Sequence, residues 1–396
     1  MTTSTYSSHR WHLWWLTLAL FLSYLSVAMS LPVVSIYVTD GLHFDNLAGG
    51  LAVGIAFVST IITRTRAGRL SDHHGGKPIM ATGLVIYTLA SLLCMIAIWH
   101  ALPATLAYAV LLAGRLALGL GESLAVVGML GWGVTLSGPQ DAGRFMALMG
   151  MGMYGSFAFG APLGLTVYHH YGFGTLMLVC AVLPLIGLAM IRGLPSVKGQ
   201  AGQRESFWCL LGRIGRPGTV VGLQGVGFAA IGAFLSLYFL DHDWPHAWIG
   251  LSGFSVGFVL VRMLCGHLPD RLGGRPVALA SLTVEIVGQV LLWQAPSPGW
   301  ALLGAFLTGC GCSLVYPAMG SEVVRRVPPH LRATAMGGFA AFQDLAYAGT
   351  GPIAGWFADH WGYAVVFLIG AVAAAGGLLA ATSLDRPVPT TATGRS

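Results

Sequence analysis

Charged side chains are scarce in this sequence: Asp, Glu, Lys and Arg make up 9% of its 396 residues, against roughly a quarter in a typical soluble domain. Apolar residues make up 55% of the chain, and the mean hydropathy is +0.74. So few charges cannot cover a water-exposed surface, which excludes a soluble protein. The 56 glycines suit a membrane protein, because small residues allow membrane helices to pack closely.

The sequence also lacks the residue sets of an enzyme. It contains no nucleophile–base set, no P-loop and no soluble catalytic domain, so neither catalysis nor a cofactor is expected. Seven histidines fall in separate loops on one predicted side without the spacing of a ligand set, so no metal site is predicted. The six cysteines lie in apolar runs or on the opposite side, which predicts free thiols.

A ten-residue segment occurs twice, 198 positions apart. The copies are GRLSDHHGGK at 68–77 and GHLPDRLGGR at 266–275, and Arg64 and Arg262 extend the match four residues upstream. A duplication over half the length of a very apolar chain is typical of secondary transporters built from two similar halves. Besides an enzyme and a secondary transporter, a channel or a non-transporting sensor is a further class of membrane protein. The duplicated loops favour a transporter that works by alternating access over this class.

Apolar stretches of roughly 20 residues predict an all-α membrane protein with twelve transmembrane helices. Of the 20 Lys and Arg, 19 fall at ends or loops on one side, and the opposite loops contain none. The positive-inside rule therefore predicts that both termini are cytoplasmic, in a bacterial inner membrane, and that the net charge of +6 reflects topology rather than a nucleic-acid partner. The predicted spans are 13–38, 47–67, 78–99, 103–134, 144–168, 172–192, 217–240, 247–268, 276–294, 298–324, 332–358 and 361–384.

The spans divide the chain into two pseudo-symmetric six-helix bundles. Residues 1–192 form the predicted N-terminal bundle and 217–396 the C-terminal one. Residues 193–216 are the longest internal polar stretch and are the predicted cytoplasmic linker, with either a short interfacial helix or a partly ordered tether. A second internal sequence similarity, between segments 160–164 and 350–354, supports the division into two halves.

The duplicated loop resembles the signature of the major facilitator superfamily, G-x-L-x-D-R-x-G-R-basic. His73 and Gly76 stand where the family has arginines, whereas the second copy keeps Asp270-Arg271. Within the family, the strings at 114–123, 223–229 and 340–344 are similar to the YhhS/YfcJ-type branch of bacterial efflux permeases. The first copy matches the signature at Gly68, Leu70, Asp72, Gly75 and Lys77.

The resemblance implies a helix 4 that lines a central cavity, and Arg115 and Gly119 match the family's motif there. Arg115 and Glu122 are seven residues apart, about 10 Å along one helical face, and charges at this depth are costly without a partner or cavity. We expect Glu122 to carry the coupling proton and Arg115 to tune that proton or to hold an anionic group of the substrate. The alternative is a static Arg115–Glu122 pair that braces helix packing. Asp344 in span 11 is the C-terminal counterpart. Further predicted substrate contacts are Tyr24, Tyr154, Gln224, Phe228, Tyr238, Ser313, Tyr316, Gln343 and Tyr347.

In the family, the duplicated loops latch the two halves together in the outward-facing state. Glu322 and Arg326 are spaced i, i+4 at the inner end of span 10, where an ion pair adds to such a latch. The alternative is that these residues only fix orientation and tight turns. The predicted inner gate comprises Asp72, Lys77, Asp270, Arg271, Arg275, Glu322 and Arg326.

These features predict a monomeric, proton-coupled antiporter that exports a small organic solute or drug by rocking its two halves. The alternative is proton-coupled uptake of a sugar or metabolite, because direction is not encoded in these residues; the Gly- and Pro-rich span 5 favours antiport. The balance of Arg115 against Glu122 and Asp344 favours cationic, zwitterionic or neutral substrates. The expected partners are the solute, protons and the lipid bilayer.

Overall fold

A computed structural model describes residues 3–98, 102–197, 207–245, 247–327 and 332–384, and its regular elements in these ranges are helical. Helices satisfy each backbone polar group internally, as a lipid environment requires. A π-helical turn, Tyr37–Gly41, extends the first helix. The helices are α1 (Thr3–Ile36), α2 (Asn46–His74), α3 (Gly76–Ile96), α4 (Ala104–Arg192), α5 (Phe207–Asp241), α6 (Ala247–Cys265), α7 (Leu268–Leu272), α8 (Gly274–Trp293), α9 (Pro298–Arg326), α10 (Arg332–Trp361) and α11 (Ala364–Thr382).

Helix α4 contains three membrane crossings. Its 89 residues would extend about 130 Å if straight, several times the roughly 30 Å hydrocarbon core. The apolar stretches within it are Ala104–Ser137 and Leu148–Arg192, and the second turns back at Gly172, whose φ is 79°. Together with α1–α3, α5, α6 and α8–α11, these crossings make twelve, which confirms the predicted all-helical membrane fold.

The backbone repeats the duplication seen in the sequence. Gly75 and Gly273, at equivalent places in the two signature loops, have φ values of 86° and 88°. Gly172 and Gly362 form a second pair, at 79° and 80°. Side chains other than glycine rarely adopt these angles, so each half needs glycine at the same two turns.

The linker between the halves is partly helical. Helix α5 begins at Phe207, so the last ten residues of the predicted linker 193–216 continue directly into the seventh span. A helix that has already formed extends at little cost per residue, which explains why the polar composition there did not end it. Residues 198–206 lie outside the described ranges.

The halves meet along α2 and α10, with further contacts between α4 and α6 and between α1 and α5. Toward the predicted outer side, α2 and α10 touch backbone to backbone: a Cβ on Gly50 would lie 1.9 Å from the carbonyl oxygen of Gly351. Gly54 faces the carbonyl oxygen of Ala348 in the same way, at 2.5 Å.

Candidate functional site

An ion pair joins the two halves within the membrane. Nη2 of Arg64, on α2, lies 2.8 Å from Oδ2 of Asp344, on α10. Both side chains are largely buried, and neither Arg64 Nε nor Asp344 Oδ2 has a hydrogen bond of good geometry. The contact is therefore mainly electrostatic, with unused hydrogen-bonding capacity on both sides. Arg64 also interacts electrostatically with Glu122 and Tyr316. One guanidinium therefore attracts two carboxylates, one from each half.

Glu122 lies beside this pair and is held by a tyrosine. The Tyr24 hydroxyl, on α1, donates a hydrogen bond of 2.8 Å to Oε1 of Glu122, on α4. Both residues are buried, and Glu122 interacts with Asp344 as well as with Arg64. The structure thus brings together Tyr24, Glu122 and Asp344, three of the residues predicted for substrate or proton binding.

Arg115 is arranged differently from the sequence expectation. Its hydrogen bonds go to the carbonyl oxygens of Ala52 (2.9 Å) and Val53 (3.4 Å) and to Oγ of Ser30 (3.4 Å), rather than to Glu122. The side chain is buried, and it ties α4 to α1 and α2. Arg115 therefore braces α4 through carbonyl and hydroxyl acceptors and not through a hydrogen-bonded pair with Glu122, which acts on it electrostatically.

Aromatic rings from both halves pack together next to the charges. Tyr347 stacks on Phe228, with ring centroids 5.2 Å apart, and meets Phe57 edge to face at 5.0 Å. Tyr154 packs against Phe258 at 4.5 Å. These aromatic residues come from α2, α4, α5, α6 and α10, so the cluster offers flat apolar surface beside ionised groups, as many small-molecule sites do.

The other predicted substrate residues divide between this cluster and its surroundings. Tyr316 packs on Phe339 and acts electrostatically on Arg64, whereas Ser313 uses its hydroxyl to bond the Phe258 carbonyl at 2.7 Å. Gln343 lies half-buried on α10. Gln224 is buried beside Cys312 within the C-terminal half.

Tyr238 lies apart from the cluster. Its hydroxyl donates to the Leu292 carbonyl at 3.1 Å, and its ring packs against Trp244 and Phe367 toward the outer end of α5. The structure therefore does not bring Tyr238 together with Glu122 and Asp344.

Four of the seven predicted gate residues, Lys77, Arg275, Glu322 and Arg326, make contacts inside their own halves in this conformation. Lys77 Nζ donates to the Arg192 and Leu194 carbonyls at 2.8 and 2.5 Å, and Arg275 Nη2 donates to Thr382 at 2.8 Å. Glu322 pairs with Arg325 and, at 3.9 Å, with Arg326. Asp72 lies in the last turn of α2, and Asp270 and Arg271 are exposed on α7.

Close packing explains the departure from the family signature at Gly76. A Cβ there would lie 2.3 Å from the Gly128 carbonyl and 2.6 Å from Cβ of Trp132. Gly274 faces the Ala318 carbonyl equally closely, at 2.2 Å. A side chain at either position would push α3 from α4 or α8 from α9.

On the predicted outer side, a carboxylate joins the ends of the two halves. Asp359, on α10, accepts hydrogen bonds from the backbone amides of Asn46 (3.0 Å) and Leu47 (3.1 Å) and from the Asn46 side chain (2.8 Å). The Tyr363 hydroxyl also donates to Asn46, at 2.8 Å. Asp359 thus caps the N-terminus of α2 from the opposite half, where negative charge is favourable.

Replacing Asp359 with Asn should open the outer side. It removes a charge-assisted cap, so the population open to the outside should rise by about fivefold to tenfold. Spin labels at Thr105 and Gly299, in a background without native cysteines, would report the change by double electron–electron resonance. Asp40→Asn is the matched control because Asp40 is an outer carboxylate whose hydrogen bond is to neighbouring Thr39. Equal distance distributions in both variants would exclude this role for Asp359.

Two functional candidates were missed in the sequence because they were counted among the inner-side cations. Arg64 and Arg262 lie on α2 and α6 and face the interior contact between the halves. Arg64 is eleven residues before Gly75, about 16 Å along the helix, which is deeper than a charge that only marks topology. That depth, together with the equivalent positions of the two arginines in the repeat, is the sequence feature that indicates a role for them in the site.

A twelve-helix chain of two related halves, with an ion pair and an aromatic cluster between them, has the architecture of a secondary transporter. The family model described as "Major Facilitator Superfamily" matches residues 16–252 and again 218–396. The chain belongs to the major facilitator superfamily, whose members are transporters and not enzymes. The two matches overlap at residues 218–252 and together cover residues 16–396.

Known relatives agree with this assignment. The chain is 44% identical to an uncharacterised MFS-type transporter of Salmonella typhimurium over 90% of this chain and 92% of the relative. The nucleoside transporter NupG has a similar structure, with a TM-score of 0.76, 17% identity and coverage of 94% and 99%. The human organic anion transporter MFSD10 gives a TM-score of 0.72, 16% identity and the same coverage. At these identities the two structures show a shared fold.

Proposed function

We propose that this chain is a proton-coupled antiporter of the bacterial inner membrane that exports a small organic solute. The observation that supports this most is the charged site between the halves: Arg64 and Asp344 join α2 to α10, and Glu122 lies beside them with its Tyr24 hydrogen bond. Buried ionisable groups in a membrane are costly. Groups that face the contact between moving halves are suited to exchange protons and solute during the cycle.

Proton coupling follows from competition at Glu122. With the site open to the cytoplasm, a hydrogen-bond donor of the solute takes the place of the proton on Glu122. With the site open to the outside, a proton returns to Glu122 and the solute leaves. Arg64 couples proton exchange to solute exchange because it interacts electrostatically with both Glu122 and Asp344. A change of charge at one carboxylate therefore changes the attraction between Arg64 and the other.

Alternating access requires one gate at each side of this site. The Asp359–Asn46 contacts provide the outer gate in this conformation. The duplicated loops provide the inner gate in the opposite conformation, where Asp72 and Asp270 face basic residues of the other half. In the present conformation Lys77 and Arg275 instead bond to carbonyl groups of their own halves.

Acridine-dye fluorescence in everted vesicles tests antiport against uptake by symport. Respiration acidifies the vesicle interior, and an antiporter releases those protons when its solute is added, which restores the fluorescence. A metabolite and drug library, first screened by thermal shift of the purified protein, supplies the solutes. Antiport predicts recovery of fluorescence on solute addition. A stabilising solute that fails to restore fluorescence but alkalinises the medium of intact cells would instead establish uptake by symport.

A further inference from the structure

Arg262 has an unusual environment for a charged side chain. Its guanidinium carbon lies 5.2 Å from the Tyr154 ring centroid and 5.3 Å from that of Phe258, and Tyr316 also acts on it electrostatically. Its Nε and Nη2 atoms are inaccessible and have no hydrogen-bond partner among the described residues. Aromatic faces surround the cation, but they leave these two donor nitrogens without an acceptor.

Such an arrangement is costly in the absence of an anion. Arginine stays protonated under all physiological conditions, and a desolvated donor without an acceptor carries a substantial penalty. Cation–π contacts offset part of this penalty without satisfying the planar fork of N–H groups. That fork matches carboxylate and phosphate oxygens in a bidentate geometry.

Comparison of the two repeats shows that Arg262 lacks the carboxylate partner that Arg64 has. Arg262 corresponds to Arg64 in the other half, at the separation of 198 positions. Segments 160–164 and 350–354, 190 positions apart, align α4 with α10, and this alignment places Tyr154 at the position of Asp344. Where Arg64 has a carboxylate partner from the opposite half, Arg262 has a phenol ring.

We infer that Arg262 is the anion subsite of the transport site, and that the solute brings the carboxylate, phosphate or sulfonate that the protein does not supply. The rings of Tyr154 and Phe258 then flank a flat apolar body attached to that group. Asp344 is already neutralised by Arg64, so the preference changes to solutes with an anionic group. Of the solutes expected from the sequence, the zwitterionic ones remain, the cationic and neutral ones do not, and anions are added. This inference rests on the proposed function for the identity of the site.

Matched probes test the subsite on the full-length purified protein. Benzoate is compared with benzamide, and 4-(aminomethyl)benzoate with 4-(aminomethyl)benzamide, because each pair differs only in the anionic group. Thermal unfolding and titration should show tighter binding of the carboxylate in at least one pair. In Arg262→Gln that carboxylate should bind about tenfold more weakly or worse, while its amide partner is unaffected. Arg262→Lys should retain part of the preference.

Arg69→Gln is the control because Arg69 is an exposed arginine on the same side, and it should leave the preference unchanged. Equal binding of acid and amide in both pairs, or a preference that survives in Arg262→Gln, would overturn the inference. If Arg262→Gln does not fold, unaltered preference in Arg262→Lys, which lacks the planar fork, overturns the bidentate subsite. Proton coupling is measured in Glu122→Gln and the preference for the acid in Arg262→Gln, so failure of the proposed function and failure of the anion subsite are distinguishable outcomes.

Discussion

Replacing Glu122 with Gln reduces transport driven by a pH gradient to the background of vesicles without the protein, while solute exchange at equal pH continues. Glutamine occupies the same volume and still accepts a hydrogen bond from Tyr24, but it cannot release or bind the coupling proton. The halves can still reorient with bound solute, because the Arg64–Asp344 pair and the aromatic cluster are unchanged. This division between driven transport and exchange separates a coupling residue from a residue needed for folding.

Glu285→Gln is the matched control for this experiment. Glu285 is also a buried carboxyl in a membrane helix, but it lies on α8 beside Cys312 and Gly227, within the C-terminal half. We expect this variant to retain gradient-driven transport. If Glu285→Gln lost driven transport and Glu122→Gln kept it, the coupling site would have to be moved into the C-terminal half.

Removing Arg64 alone should have the second largest effect. Arg64→Gln leaves Asp344 buried without its partner, and breaking a buried pair on one side costs about 3 kcal/mol. The double variant Arg64→Gln, Asp344→Asn removes both charges, so thermal unfolding should show recovery of most of the lost stability. Transport should not recover, because the link between Glu122 and the C-terminal half is gone.

The Arg64 experiment distinguishes a working ion pair from a bracing one. A double variant that recovered stability and transport together would show that the pair only holds α2 against α10. Equal stability of the single and double variants would show that Asp344 finds another partner. Arg69→Gln, an exposed neighbour on the same helix, controls for general loss of positive charge.

The sequence predicted the fold because the fold depends on local, repeated signals. Apolar length and charge segregation identified the crossings, and the duplicated loop predicted two similar halves. Composition left open whether Phe207–Arg216 is helical or a partly ordered tether. The helicity of this segment depends on continuity with the following span as well as on its own residues.

The site was predicted less completely because it depends on how helices are rotated against one another. Tyr24, Glu122 and Asp344 were identified as charged or polar residues at membrane depth, and the structure places them together. Spacing along α4 suggested that Arg115 faces Glu122, but the packing of α4 against α2 provides carbonyl acceptors that no local pattern encodes. Arg64 was counted with the inner-side cations, since its partner is 280 positions away in sequence.

Proton release on solute binding tests the central claim, coupling at Glu122, most directly. A solute identified by dye recovery in everted vesicles is added to purified protein in weakly buffered solution with a pH indicator. The wild-type protein should release protons in proportion to bound solute, and Glu122→Gln should release none at the same occupancy. Equal proton release from the two proteins would contradict the assignment of the coupling site to Glu122.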